Sequence, residues 1–263
     1  MNLHPPTSSY KRQWAALMVV VLVAAWFRVH RLDTVPPGPH FDAIINGQIV
    51  DEFILPALPA WLRPATPIVP WLTIQANPNG PDLQEHGWLY HITLAVSLQT
   101  IGRNVLGMRF PDVMWGLLGV AACYALARRL FGRSTALVAT AAQAVSLWSV
   151  LLGRAGLRAG TIVPILALSA CAFWEAWRKA PDPTGFKKLS GLFRFALSGA
   201  LLGLSIYGYL SARPMVLAFF AFAAYLGLTR RVEWKRLLPG LATFLATAAV
   251  VAAPLLLYLS AHP

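Results

Sequence analysis

Long apolar stretches alternate with short polar segments along most of this chain. A helix that crosses the roughly 30 Å hydrocarbon core of a bilayer needs about 20 mostly apolar residues. Eight segments approach that length, and the pattern predicts a helix for each: 13–30, 88–104, 110–127, 134–152, 159–177, 191–211, 213–229 and 236–260. Several are near the short limit, so tilted or partial insertion is an alternative to full crossing. We therefore expect an all-α polytopic membrane protein of about 7–8 transmembrane helices, forming a single membrane domain over 1–263.

One polar segment, 31–87, is much longer than the others and holds six of the chain's acids: Asp33, Asp42, Asp51, Glu52, Asp82 and Glu85. Loops longer than about 12–15 residues are usually functional or disordered. Apolar patches at Phe53-Ile54-Leu55, Trp61-Leu62 and Trp71-Leu72 are typical of short helices that lie in the membrane interface. The pattern predicts an ordered loop that carries two or three such helices.

Composition agrees with a membrane protein and excludes other classes. Only 12% of the residues are charged and the mean hydropathy is +0.57, whereas soluble domains carry about 25% charged residues. The net charge of +12 lies in short clusters between apolar segments, which is the positive-inside pattern and not a nucleic-acid-binding stripe. Cys123 and Cys171 fall inside predicted spans and are interpreted as packing residues. No metal or cofactor motif is present, and the first apolar segment is interpreted as a retained helix.

Basic residues also predict the topology, with one conflict. The rule places Lys11-Arg12, Arg128–Arg133 and the 178–194 segment in the cytoplasm, and the 31–87 loop outside. It also places Arg154 outside, but three candidate spans separate it from the 31–87 loop, and three crossings would reverse the side. Either 88–104 or 110–127 does not cross fully, or the charge rule fails near residue 130.

Asp42 is the strongest candidate for a catalytic group. Pro36, Pro37 and Gly38 precede it, and such residues hold a loop in place at little entropic cost. His40 and Asn46 flank it and are candidates to orient it or to bind substrate. The alternative is an ordinary solvated loop acid.

Several other residues are candidates for binding a polar head group or a phosphate. Glu85, His86 and Tyr90 lie where the long loop meets an apolar segment, although Tyr90 is also a typical interfacial anchor. Arg154 and Arg158 are four residues apart and would share one face of a helix, where two guanidinium groups can bind a phosphate. The alternative for both is flanking charge with an extended side chain.

A further group, Tyr207, Tyr209 and Arg213, surrounds the end of the sixth apolar segment, before Pro214. A cation inside a span costs about 2.5–3.5 kcal/mol, so Arg213 is expected at an interface or a cavity. Asp112, after Pro111, is interpreted as a helix start, and Gly199-x3-Gly203 as a close helix contact.

One loop carboxylate accompanied by arginines and tyrosines suits transfer of a sugar from a lipid phosphate. The carboxylate would take a proton from an acceptor hydroxyl as general base. The phosphate leaving group needs positive charge more than a proton, so arginine can replace a general acid. A glycosidase differs, because it uses two carboxylates at a defined separation.

These residues also resemble a known family. The similarity is carried by Pro36-Pro37-Gly38-Pro39-His40-Phe41-Asp42 with Asn46-Gly47, by Gly102-Arg103-Asn104, by Met108-Arg109-Phe110-Pro111, by Ala127-Arg128-Arg129-Leu130-Phe131-Gly132-Arg133, by Gly153-Arg154 with Arg158, and by Tyr207-Gly208-Tyr209 through Arg213. In this order they resemble the GT-C membrane glycosyltransferases of the protein O-mannosyltransferase and aminoarabinose-transferase-like group. The resemblance implies a polyprenyl-phosphate sugar donor, an inverting transfer at an extracytoplasmic site in the plasma membrane, no cofactor, and the role of the loop acid for Asp42.

Two departures from the family keep other functions open. Many members have Glu directly after the loop acid, where this chain has Ala43, and most continue well beyond its length. We therefore also consider a short or truncated form that works with a partner subunit, including a non-catalytic subunit that binds the lipid carrier. A lipid or solute transporter is the third hypothesis, although repeated halves typical of transporters are not evident.

Overall fold

A computed structural model of the protein describes residues 7–51, 89–178, 185–212, 214–229 and 234–261. The helices within these ranges are α1 (Thr7–Val29), α2 (Phe41–Ile49), α3 (Leu89–Thr100), α4 (Val105–Phe131), α5 (Arg133–Val145), α6 (Leu147–Leu152), α7 (Ile162–Arg178), α8 (Gly185–Ser205), α9 (Met215–Leu228) and α10 (Trp234–Ala261). Short 3-10 turns cover Arg158–Thr161 and Leu210–Ala212. The interfacial helices predicted from the patches at 53–55, 61–62 and 71–72 fall outside the described residues.

The helical membrane fold predicted from the apolar pattern is confirmed. Four stretches of the described chain are long and apolar enough to cross a membrane: Lys11–Val29, Val105–Phe131, Arg158–Arg178 and Leu238–Leu257. Gly191–Ser205 and Met215–Tyr225 are shorter apolar helices. The segment predicted at 134–152 is divided between α5 and α6, because Ser146 leaves the helical region at ψ 130°.

The segment predicted as a span at 88–104 does not cross the bundle. Its helix, α3, has 12 residues, which span about 18 Å at 1.5 Å per residue. At its start, the Leu89 amide donates to the Tyr207 carbonyl, and shortly after its end Arg109 binds the loop that precedes Asp42. Both ends of α3 therefore lie at one end of the bundle, which we call the Asp42 end.

This placement removes the conflict in the predicted topology. Arg133, at the start of α5, donates to Gln13 near the start of α1, and Arg28, near the end of α1, donates to the Ala144 carbonyl at the end of α5. Helices α1 and α5 thus run in the same direction, and α4 returns between them. Two crossings separate the Asp42 loop from Arg154, so both lie at the Asp42 end.

Helices α8 and α10 also run in parallel and pack closely through glycine. A Cβ atom added at Gly203 would lie 2.6 Å from the Ala248 carbonyl oxygen, and one at Gly199 would overlap the Phe244 carbonyl. Small residues permit such backbone contact between membrane helices, and the contact predicted from the Gly199-x3-Gly203 spacing is confirmed. Phe173 of α7 fills the adjacent core with edge-to-face contacts to Phe195 and Phe244.

Candidate active site at the Asp42 end

Asp42 occupies the first turn of α2 and points to solvent. His40 caps the helix, because its Nδ1 accepts a hydrogen bond from the Asp42 amide at 3.2 Å. That bond assigns the ring proton to Nε2. The Asp42 side chain is 57% exposed, and its Oδ2 lies 3.9 Å from His40 Nδ1. The predicted acid therefore sits at a helix N-terminus, where backbone N–H groups favour negative charge.

The loop that leads to Asp42 is held by a buried arginine that we did not predict as functional. Arg109 of α4 donates from Nη1 to the Leu32 carbonyl at 2.8 Å and from Nη2 to the Pro36 carbonyl at 2.9 Å. It also contacts the Gly38 carbonyl. A planar guanidinium with several donors can bind backbone carbonyls in this way. Arg109 thus fixes the residues immediately before His40.

Arg154, predicted to bind a phosphate, uses its described hydrogen bonds within the protein. Its guanidinium donates to the carbonyls of Phe27, His30, Arg31 and Val35 at 2.6–3.2 Å. These include carbonyls at the end of α1, where a cation is favoured by the helix dipole. Burial lowers the pKa of the Arg154 guanidinium from its ordinary value, yet such a group stays protonated in proteins. The geometry gives Arg154 a structural role, and its binding of substrate stays a prediction.

Asn46, predicted to orient Asp42 or to bind substrate, is buried on the inner side of α2. Its Nδ2 donates to the Gly156 carbonyl, and its Oδ1 lies 3.2 Å from His91 Nε2. These bonds attach the inner face of α2 to the Gly153–Leu157 turn and to α3. Asn46 is thus a buried link between elements, whereas Asp42, one turn earlier in α2, is exposed.

Asp112 lies in the same buried region and is not a helix start. Helix α4 begins at Val105 with Asn104 as its cap, so the interpretation of Asp112 as an N-terminal residue is wrong. Its carboxylate accepts a hydrogen bond from the Leu157 amide at 3.0 Å and faces the buried hydroxyl of Tyr90. The predicted head-group residue Tyr90 is fully buried, and here it is a packing partner of Asp112.

Ala43 packs directly against the turn that Asp112 holds. Gly156 has a φ of +77°, a conformation that L side chains rarely adopt. A Cβ atom added there would overlap the Cβ of Ala43. The position that is often Glu in the resembling family therefore holds a buried alanine packed against a neighbouring turn, and the nearby buried carboxylate is that of Asp112.

Arg158, just after this turn, faces Tyr209. The Arg158 guanidinium carbon lies 5.5 Å from the centre of the Tyr209 ring, within the range of a cation–π contact. Gly208 passes close to Thr161, so the two segments are in contact. Both side chains are half-buried, and both belong to the predicted substrate-binding set.

Tyr207 has a different role from Tyr209. Its hydroxyl donates to the Val251 carbonyl at 2.8 Å and accepts from the Leu255 amide at 3.3 Å. It therefore enters the hydrogen-bond ladder of α10 next to Pro254, where the helix is already interrupted. Tyr207 is buried and joins the end of α8 to α10.

An apolar groove opens at the Asp42 end between α3 and the first half of α4. Its volume is about 460 Å³, and its lining includes Ile92, Val96, Met114 and Leu118. These four side chains are exposed, so the groove faces the lipid. Pro111 lies beside it, and Ser97 donates to the Gly107 carbonyl that this proline leaves without its helical partner.

Three predicted site residues, Glu85, His86 and Arg213, lie outside the described residues. Within the described part of the chain, no group of three or more His, Cys, Asp or Glu side chains is placed to hold a metal ion.

The residues that sequence reasoning missed are Arg28, Arg109, His91 and the buried role of Asp112. Their signal was a charge inside or beside an apolar segment, where the cost of burial requires a partner.

The fold and this site define a polytopic membrane protein in which the exposed Asp42 and several buried arginines lie at one end of a helical bundle. The sequence profile of the family described as dolichyl-phosphate-mannose-protein mannosyltransferase matches residues 85–258, which is well over half of the chain. The chain belongs to this family of GT-C membrane glycosyltransferases, which use a lipid-linked sugar donor. No curated protein and no solved structure matches it. The matched range begins after Asp42, so the role of that residue rests on the local resemblance and the geometry.

Proposed function

We propose that this protein transfers a sugar from a polyprenyl phosphate to an acceptor hydroxyl at the Asp42 end, on the extracytoplasmic side of the plasma membrane. The observation that carries the proposal is the setting of Asp42, an exposed carboxylate at a helix N-terminus, at the end of a loop fixed by Arg109. A base must reach a substrate proton while its own position stays fixed. The exposed, anchored Asp42 meets both requirements.

In the proposed reaction, an Asp42 carboxylate oxygen takes the proton of the acceptor hydroxyl. The acceptor oxygen then bonds to the anomeric carbon of the sugar, and the bond from that carbon to the phosphate oxygen breaks. The lipid phosphate leaves with the electron pair, and Arg158 supplies positive charge toward it. The products are the glycosylated acceptor and the lipid phosphate, with inversion at the anomeric carbon.

Basic residues at the opposite end of the bundle support the proposed side of the membrane. Arg133 donates to Gln13 there, and Arg129 and Arg194 meet at Glu175. Cytoplasmic segments carry the excess of Lys and Arg, which supports an extracytoplasmic Asp42 end. The groove between α3 and α4 would accept part of the polyprenyl chain from the lipid.

The test is transfer from a polyprenyl-phosphate sugar by purified, folded protein. We expect Asp42→Asn to abolish transfer, and Asp33→Asn, an exposed acid of the same loop, to leave it near the wild-type rate. Retained transfer in Asp42→Asn would remove Asp42 as the base.

A second function, a non-catalytic subunit that binds the lipid carrier, is favoured by one observation. Ala43 is buried and packs against Gly156, so a longer acidic side chain would be crowded at this position. Wild-type protein that binds the lipid phosphate but transfers no sugar would support this alternative.

A further inference from the structure

The end of the bundle opposite Asp42 contains a groove with charged residues at its mouth and apolar residues along its length. The groove is lined by Arg129, Leu168, Cys171, Ala172, Glu175, Phe193, Arg194, Leu197 and Leu201, and its volume is about 460 Å³. We propose that it binds one anionic phospholipid of the bilayer, with the phosphate at Arg129 and Arg194 and an acyl chain along the apolar part. This site is separate from the Asp42 end and does not depend on the proposed function.

The charged mouth joins three helices. Arg129 of α4 contacts Glu175 Oε1 of α7 through Nε at 2.6 Å, and Arg194 of α8 lies 3.8 Å from the other carboxylate oxygen. Two guanidinium groups contact one carboxylate, and the three side chains together carry a formal charge of +1. Arg129 uses Nε for Glu175 and Nη1 for the Ala125 carbonyl, and a guanidinium carries five N–H donors. Arginine binds phosphate oxygens through paired N–H donors, and Arg129 has donors beyond the two used for Glu175 and Ala125.

The apolar part of the groove has the direction that an acyl chain requires. Leu168, Cys171, Ala172 and Glu175 lie on one face of α7, and Arg194, Leu197 and Leu201 lie on one face of α8. Leu168 is seven residues before Glu175, so the groove runs about 10 Å from its charged mouth toward the middle of the helices. Phe193 and Leu197 are exposed beside it. The groove is therefore open to the bilayer from the side.

Charge selects an anionic lipid over a zwitterionic one. Arg133 and Arg178 belong to the same end of the described bundle, and Glu175 is an acid there that is already shared between two arginines. A zwitterionic headgroup would bring its own cation to this basic surface, whereas phosphatidylglycerol brings a net negative charge. Basic pockets between membrane helices bind anionic headgroups for this reason.

The test is native mass spectrometry of the whole protein, taken from nanodiscs that contain phosphatidylglycerol or phosphatidylcholine. We expect one phosphatidylglycerol to be retained in preference to phosphatidylcholine. Arg194→Gln should weaken its binding about tenfold, the loss of one charge-assisted contact. In this variant Arg129 still pairs with Glu175, so the half-buried carboxylate keeps a cationic partner. Arg178→Gln removes the same charge from an exposed position at the same end and should change little.

A second variant tests the groove itself. Ala172→Phe keeps every charge but fills the floor of the groove, and we expect it to release the retained lipid. Equal retention of both lipids would overturn the proposal, as would an equal effect of Arg178→Gln and Arg194→Gln, or full retention in Ala172→Phe. Thermal unfolding of each variant identifies any that fail to fold, and the two routes of disruption are independent.

Discussion

The buried carboxylate of Asp112 accepts a hydrogen bond from the backbone amide of Leu157, 45 residues away along the chain. The neighbouring Gly156 carbonyl accepts from Asn46 of α2. Through this turn, α4 is connected to the helix that begins beside Asp42. Asp112 is therefore a positioning residue for the proposed base, although it lies beneath α2 and not at the solvent.

Two replacements of Asp112 test the importance of its acceptor oxygen for stability. We expect Asp112→Ala to lower the free energy of unfolding by about 1–3 kcal/mol, because the partly buried Leu157 amide would lose its acceptor. Asp112→Asn keeps an acceptor oxygen and should lose less. Thermal unfolding in detergent measures both, with Asp33→Ala as an exposed control. Equal stability of Asp112→Ala and wild type would contradict the role.

Ala43→Glu would place Glu directly after Asp42, as in many members of the resembling family. We predict that it will not restore or increase activity. Ala43 is buried against Gly156, and overpacking at such a position costs about 1–3 kcal/mol. We expect a lower melting temperature and no gain in sugar transfer. Ala43→Ser, which adds a single atom, is the matched control. A stable and more active Ala43→Glu protein would show that the turn can yield.

Arg109→Lys should loosen the approach to Asp42 while keeping the charge. An ammonium group lacks the planar fork that reaches the Leu32 and Pro36 carbonyls together. We expect faster amide hydrogen exchange at residues 32–38 and a lower rate of transfer. Arg31→Lys, at an exposed position of the same loop, should leave both unchanged. Unaltered exchange in Arg109→Lys would mean that other contacts fix the loop.

The two tyrosines near the end of α8 should respond differently to loss of their hydroxyls. Tyr207→Phe leaves the Val251 carbonyl and the Leu255 amide without their bridge, so we expect a loss of about 1–3 kcal/mol in stability. Tyr209→Phe keeps the ring that faces Arg158 and should melt close to wild type. Tyr209→Leu removes that ring and should reduce transfer. The reverse order of melting temperatures would contradict these assignments.

The sequence predicted the helical fold because span length is a local property of the chain. It predicted 88–104 as a span because apolar composition does not distinguish a crossing helix from one with both ends on one side. The contacts that decide the matter join Leu89 to Tyr207 and Arg109 to Leu32. Such distant pairs have no signature in a single sequence.

In the candidate site, too, contacts between neighbours in sequence could be predicted and contacts between distant residues could not. Asp42 and its cap His40 are adjacent in sequence, and their local geometry could be anticipated from the rigid approach. Arg154 and the Asn46 amide nitrogen donate to backbone carbonyls more than 100 residues away. A carbonyl is present at every position, so residue type alone could not indicate that these two side chains are used inside the protein.

Cysteine labelling from one side of the membrane tests whether the Asp42 loop and Arg158 lie on the same side. In a background without Cys123 and Cys171, we expect single cysteines at Asp33 and Arg158 to react with an impermeant reagent added outside intact cells. Cysteines at Phe131 and Arg178 should react only after the membrane is opened, because they lie at the basic end of the bundle. Phe131 and Asp33 are both exposed, so a difference between them reports side and not burial. Labelling of positions 33 and 158 from opposite sides would mean that 88–104 crosses the membrane after all, and the link between Asp42 and Arg158 would be lost.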